Sequence, residues 1–483
     1  MSGDKRTVGR AIAWVGAASA VVAGFDAISV AILLWKWVSV ADLGIASLAA
    51  TLFYFLDLVT EAGLSSVLIQ RESIDDDTVS SVFWLNLIVS LGAFAVLLGV
   101  APLVGYIQHQ PIVGYMLIAY GTKLIYQNIY FVPAALLRRD LRFKELSIVR
   151  TVANAGDGIT KIAFAAMGQP IWCFVAGPLA RVAITGIGLQ LFHPWRPRLV
   201  FQRAEARHML SFGFKTTGSQ YLQHFYNNIH YQIVGVFFGN DAVGSYRVAY
   251  ELVLYPINWV SNVVAQIAFP AFSRVRGNAK ELAAQFLQFS RQNLAVALPV
   301  LVLLITASPE ILALAYPKVG DVSLPVRVLC IVGMLRAIDC LYLPLLDALG
   351  FAGRNFAIAG LAAVVLVTGD IVFSETLGHH FGFTAVAIGR MIGYPIVISV
   401  HAYLVLGRLE LTSRHYIGHL MSLVAVGVAA VIPGYIMSTV MSPTASPAAR
   451  LFAIAGPSLA TLEILLSRFH GLGLRAIIKS FRR

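Results

Sequence analysis

Fourteen apolar stretches of bilayer-crossing length, joined by loops too short to fold alone, leave this chain of 483 residues one solvent, which is lipid. They cover residues 11–34, 43–68, 79–105, 111–137, 146–167, 171–192, 208–238, 242–270, 282–307, 323–349, 355–376, 382–407, 415–438 and 448–467. A helix needs about 20 apolar residues to cross about 30 Å of hydrocarbon. Composition agrees: 58% hydrophobic and 12% charged residues, with a mean hydropathy of +0.76, leave too little polar surface to clothe a water-soluble protein. The expected fold class is an all-α integral membrane protein of about fourteen transmembrane helices.

The loops alternate between Arg/Lys-rich and almost Arg/Lys-free. With the N-terminus inside, one set of loops and tails collects 23 bases, including Lys5, Arg71, Arg138, Arg139, Arg142, Lys144, Arg198, Arg274 and Arg483, whereas the other holds Lys36 and Lys318. The positive-inside rule then puts both termini in the cytoplasm and the protein in the bacterial inner membrane. The net charge of +12 is mostly topogenic, and its dispersal over short loops argues against nucleic-acid binding. Residues 1–10 and the apolar run after them could be taken for a secretory signal. The run is longer than a signal core and lacks a convincing cleavage site, so the first helix is expected to be retained. Cys173, Cys330 and Cys340 lie in spans without CxxC spacing, which points to packing rather than to a disulfide framework or zinc.

No stretch outside the spans is long enough for a soluble domain. The loop His193-Pro194-Trp195-Arg196-Pro197-Arg198 marks a boundary after the sixth span. The expected organisation is an N-terminal lobe (1–192), a cytoplasmic linker (193–207), a C-terminal lobe (208–407), and two further helices with a basic tail (408–483). Val40-Ala41-Asp42-Leu43-Gly44 opens the second span and Asn240-Asp241-Ala242-Val243-Gly244 opens the eighth, as parallel repeats would, although short outer turns favour Asp and Gly anyway. Alternating access between two six-helix lobes is the mechanism such a layout implies.

Eleven bases fall near or within spans: Lys123, Arg150, Lys161, Arg181, Lys215, Arg247, Arg291, Arg327, Arg336, Arg390 and Arg450. Each costs about 2.5–3.5 kcal/mol at a helix centre, so they should face protein or water rather than lipid. Asp157 with Lys161, Arg247 with Glu251, and Arg336 with Asp339 are local pairs by spacing. Lys123, Arg181 and Arg291 have no acid at i±3 or i±4 and are the leading candidates to hold an anionic headgroup. Lys215 and Arg390 lie nearer the membrane faces, where snorkelling is an equal explanation.

The seventh span carries Thr216, Gln220, Gln223 and Asn227 on one stripe, and the fourth carries Tyr120, Lys123, Gln127 and Tyr130, with Tyr126 beside them. Amides and rings suit a sugar-handling surface; interhelical bonding accounts for them equally. Asp26, Asp57 and Glu61 suit proton or sodium coupling, or else partner the surplus bases. No catalytic triad, phosphate-cradling glycine loop or metal-spaced cluster is present in a soluble segment, so an enzyme is disfavoured and no cofactor is expected.

The stretch Phe131-Val132-Pro133-Ala134-Ala135-Leu136-Leu137-Arg138-Arg139-Asp140-Leu141-Arg142-Phe143-Lys144, with Thr60-Glu61-Ala62-Gly63-Leu64 and Gln70-Arg71, resembles the polysaccharide transporter branch of the multidrug/oligosaccharidyl-lipid/polysaccharide exporter superfamily. That branch holds the WzxC-like flippases. The resemblance, which extends over most of the first twelve helices, implies two six-helix bundles around a central cavity. It also implies an undecaprenyl-pyrophosphate-linked oligosaccharide as substrate, with a polysaccharide polymerase and export proteins as partners. The cationic residues would hold pyrophosphate or acidic sugars. An ion-coupled drug antiporter, a peptidoglycan-precursor flippase and a non-transporting scaffold are the rival readings; unpaired midplane bases argue against the first, and the stretch 131–144 fits the polysaccharide branch better than the second.

Overall fold

Wherever the structure describes an expected apolar stretch, that stretch is helical, and no strand occurs among the described residues. This computed structural model describes residues 22–61 except 23 and 27, residue 68, residues 75–202 except 141, residue 218, and residues 221–473 except 443. The side chains of 58–61, 352 and 353 are outside the description.

Among the described residues, helical residues 28–36 and 221–228 accompany fifteen bounded helices: α1 (Val40–Glu61), α2 (Asp76–Ile107), α3 (Pro111–Tyr126), α4 (Asn128–Arg139), α5 (Phe143–Ala166), α6 (Cys173–Phe192), α7 (His230–Phe238), α8 (Asn240–Val275), α9 (Ala279–Ala315), α10 (Ser323–Asp339), α11 (Tyr342–Ala348), α12 (Ala352–Phe381), α13 (Thr384–Leu406), α14 (Ser413–Val440) and α15 (Pro447–Leu465). Their starts follow from side chains that satisfy the orphan N–H groups of a first turn. Asp75 accepts from Thr78 N at 3.3 Å, Asn278 from Glu281 N at 3.2 Å, and Ser446 from Ala449 N at 3.3 Å. Ser39 and Asp42 cap reciprocally, each side chain accepting the other's N–H at 3.0 Å. Both Asp/Gly motifs therefore stand at helix starts, those of α1 and α8.

Ten described segments are long and apolar enough to cross a membrane, and the protein is a multi-pass membrane protein. Three expected spans are interrupted among the described residues: at Gln127 between α3 and α4, at Ile229 between helical residues 221–228 and α7, and at Cys340–Leu341 between α10 and α11. Arg150, Asp157 and Lys161 load α5 with charge.

The chain divides into two compact units, Met1–Val236 and Phe237–Arg483. In the first, α5 packs along α6, α2 along α3, and α3 also meets α1 and α6. Gly177 permits the α5–α6 approach: a Cβ there would stand 2.6 Å from Lys161 Cγ and run into the Asp157 carboxylate. Residues 221–236 are joined to this unit by Gln232, whose Nε2 donates to Leu48 O at 2.9 Å, and by the rings of Tyr221, His224 and Phe225 around Phe55. The loop 193–202 lies on the start of α2. Arg198 meets Asp76 at 2.7 Å, its carbonyl accepts from Trp84 Nε1 at 2.7 Å, and Trp195 packs on Phe83.

In the second unit α9 is the hub, touching α8, α10, α14 and α15, while α12 pairs with α13. Gly369 and Gly389 let the α12 and α13 backbones meet, since a Cβ on Gly389 would stand 2.8 Å from Gly369 O.

Prolines within these helices free the carbonyl four residues upstream, which must find another donor in a water-poor setting. At three places a neighbouring helix supplies it. Tyr120 donates to Phe174 O at 2.7 Å, below Pro178; Gln190 Nε2 donates to Ile129 O at 2.8 Å, below Pro133; Arg327 Nε donates to Ile305 O at 3.3 Å, below Pro309.

Candidate functional site

The first unit holds a cavity of about 320 Å³ between α4, α5 and α6. Its lining steps along each helix by whole turns: Tyr130, Ala134 and Arg138 on α4, Leu146, Arg150 and Asn154 on α5, Arg181, Thr185 and Leu189 on α6. Eight residues of helix separate Tyr130 from Arg138, and Arg181 from Leu189, so the cavity runs about 12 Å along the helices. One end lies at the Arg/Lys-rich α4–α5 turn, and the other at Arg181.

Arg181, an expected site residue, lies in this cavity with Tyr130. Its Nη1 stands 3.3 Å from Asn154 Oδ1 and 3.6 Å from the wholly buried Asp157, which also takes Lys161 at 3.0 Å. One carboxylate thus serves two cations. Arg150 and Arg138, which the sequence reading left aside as a span base and a loop base, line the same cavity. Their signal was the i, i+4 stepping shared by α4, α5 and α6. The three guanidinium groups, with Tyr130, Ser147 and Thr185, suit a phosphate-bearing anion that takes forked N–H donors.

Lys123, expected to be unpaired, forms an ion pair with Asp57 of α1. It therefore offers no uncompensated charge, and Asp57, an expected coupling residue, has a base as its partner. Phe53 and Tyr54 place their ring centroids 5.2 and 5.9 Å from the ammonium, and Tyr120 stacks on Phe53 at 5.4 Å. His224 meets Tyr54 edge-on at 6.2 Å.

Arg291 belongs to the second unit. Its Nη2 lies 3.2 Å from His470 Nδ1 and 3.4 Å from His470 O, at the turn that ends the last helix. Gln223 is half-buried, the Asn227 carbonyl bonds the His230 ring at 2.8 Å, and Tyr126 is exposed. Asp26 is half-buried, its carbonyl accepting from Ser29 at 2.9 Å. Lys215, Gln220, Thr216 and the Glu61 side chain lie outside the described residues.

Asp157–Lys161 and Arg247–Glu251 pair as spaced, and tertiary contacts reach the residues of the third local expectation: Arg336 donates to Tyr250 of α8 at 3.0 Å, and Asp339 meets His401 of α13 at 2.7 Å. Arg390 does not snorkel: it is wholly buried against an equally buried Asp370 at 2.9 Å.

Comparison with known proteins fits this geometry. Residues 33–318 match the family described as polysaccharide biosynthesis protein. The teichuronic acid biosynthesis protein TuaB of Bacillus subtilis is 25% identical over 289 residues, which are 59% of this chain and 59% of TuaB. The lipopolysaccharide biosynthesis protein WzxC of Escherichia coli is 20% identical over 403 residues, 81% of this chain and 78% of WzxC. The fold matches that of a solved structure of the lipid II flippase MurJ in an inward closed conformation, with a TM-score of 0.75 at 14% identity, covering 94% of this chain and 98% of that one. The chain belongs to the polysaccharide biosynthesis protein family.

Proposed function

We propose that the protein is a flippase, not an enzyme, that moves oligosaccharide repeat units linked to undecaprenyl pyrophosphate from the cytoplasmic to the periplasmic leaflet by alternating access. One observation carries the reading: Arg138, Arg150 and Arg181 line a single intramembrane cavity beside Tyr130. Cations held at such depth are costly unless they serve a ligand or a partner, and Asp157 is shared between Arg181 and Lys161. Family membership and the flippase fold support the same reading.

The Arg/Lys-rich ends of the helices face the cytoplasm in this reading, so the mouth at Arg138 opens to the leaflet where the lipid-linked unit is made. The inner membrane, cytoplasmic termini, fourteen crossings and two repeated lobes joined by 193–207 belong to the same proposal. So do a polymerase and export proteins as downstream partners. Coupling to a proton or sodium gradient would run through Asp57, where the ion must compete with Lys123.

Deleting the gene tests the reading. The expected result is accumulation of cytoplasmic-leaflet undecaprenyl-pyrophosphate oligosaccharide and loss of surface polysaccharide, both reversed by the wild-type protein. Normal surface polysaccharide with altered sensitivity to cationic drugs would overturn it in favour of an antiporter.

A further inference from the structure

A second cavity, of about 350 Å³, lies wholly within the second unit, among α9, α10, α14 and α15. Its charges are Glu310, Arg327 and Arg450, and its hydroxyls are those of Thr306, Tyr435 and Ser438. Glu310 is buried and bound to Arg450, Nε to Oε1 at 3.0 Å, and Arg450 also donates to Met441 O at 3.4 Å and Ser442 O at 3.2 Å. These two charges offset one another.

Arg327 is different. It is exposed, forms no ion pair among the described residues, and is steered by a single bond from Nε to Ile305 O at 3.3 Å, the carbonyl that Pro309 sets free. Both Nη nitrogens are left without a hydrogen bond among the described residues. Asp321 lies in the adjoining loop but outside the cavity lining, and it accepts from Ser323 N at 2.9 Å. The kink at Ala307, with φ −119° and ψ 19°, falls between the lining residues Thr306 and Pro309.

The rest of the surface is apolar and continuous with the cavity. Val428, Ile432 and Tyr435 follow one face of α14 at intervals of four and three residues, and they are 62%, 54% and 67% exposed. Tyr435 belongs to both the stripe and the cavity lining. A cationic head site at a membrane-facing helix end, leading into an apolar stripe, has the two-part chemistry of an amphiphile.

We propose that this cavity binds the phosphate group of a lipid, with Arg327 as the fork on the phosphate oxygens and an acyl or prenyl chain along Val428 and Ile432. The ligand chemistry is a phosphate ester on a hydrocarbon chain, and it has two sources: an anionic phospholipid or a polyprenyl phosphate. The site is separate from the arginine cavity of the first unit and stands whether or not that cavity carries the proposed substrate.

The test uses the full-length protein purified in neutral detergent and probed by native mass spectrometry and by titration with phosphatidylglycerol, phosphatidylcholine, undecaprenyl phosphate and inorganic phosphate. Arg327→Gln is compared with Arg274→Gln, an exposed change at the opposite end of α8 and α9. The expected result is retention of phosphatidylglycerol or undecaprenyl phosphate over phosphatidylcholine, about tenfold weaker in Arg327→Gln and unchanged in Arg274→Gln. Whichever lipid competes better names the source. Equal retention by Arg327→Gln and wild type, or binding of inorganic phosphate as tight as that of either lipid, overturns the proposal. Arg327 forms no ion pair among the described residues, and thermal unfolding of Arg327→Gln equal to that of wild type and Arg274→Gln verifies that losing its bond to Ile305 O leaves the fold intact.

Discussion

The hydroxyl of Tyr120 donates at 2.7 Å to the carbonyl of Phe174, the oxygen that Pro178 leaves without its helical partner. A proline in α6 and a tyrosine in α3 thus form one device, and Phe174 O at the edge of the α5–α6 pair is satisfied from outside its own helix. Tyr120→Phe should cost about 1 kcal/mol, read as a lowered melting temperature of the purified protein. In a Pro178→Ala background the helix regains its own N–H, and the same change should cost only a small fraction of that. Equal losses in both backgrounds would contradict the link.

The Asp370–Arg390 pair leads to a different kind of prediction. Both side chains are wholly buried, with Nε and Nη2 donating to one oxygen at 3.1 and 2.9 Å. Removing either partner strands the other, so Arg390→Met or Asp370→Leu alone should destabilise by about 3–5 kcal/mol, whereas the double replacement recovers most of it. Expression and thermal unfolding of the three variants check this.

Asp57 and Lys123 separate structure from coupling. If the pair only neutralises charge, Asp57→Asn with Lys123→Gln should restore both folding and transport lost in either single variant. If Asp57 also carries the coupling ion, the double variant should fold like wild type and lose gradient dependence of transport. Vesicle uptake with and without a proton or sodium gradient distinguishes the two.

A pH effect follows from Asp321, outside the spans. Hydrogen bonds from Ser323 hold its carboxyl below the ordinary value of 3.8 against the opposing effect of burial, and Arg327 adds a smaller lowering. A depressed carboxylate stabilises the fold above its unfolded value and loses that contribution as pH falls through its folded one. Wild type should therefore melt above Asp321→Asn at pH 6, with the gap closing as pH drops below about 4.

The helices were legible because lipid demands long apolar stretches, and hydropathy reads those directly. The breaks were not. At α3–α4 the Asn128 amide takes Leu124 O at 2.9 Å and bonds Asn86 and Ser90 across to α2, competing with the helical ladder. At α10–α11 the Asn293 amide of α9 takes Ala337 O at 2.7 Å. Both depend on which helices become neighbours. The same holds for the site. Depth and chemistry singled out Arg181 and Tyr130, which share one cavity, whereas the acid that pairs with Lys123 lies 66 residues away, far beyond any local window. Arg138 counts among the loop bases, which hides its place in the cavity lining.

The arginine cavity carries the central claim, and its most direct test is transport by the purified protein. Reconstituted vesicles holding a fluorescent undecaprenyl-pyrophosphate oligosaccharide should show leaflet exchange with wild type. Exchange should drop at least about tenfold with Arg181→Ala or Arg150→Ala, and partly return with the Lys variants, at equal melting temperature. Undiminished exchange in both alanine variants would contradict the account.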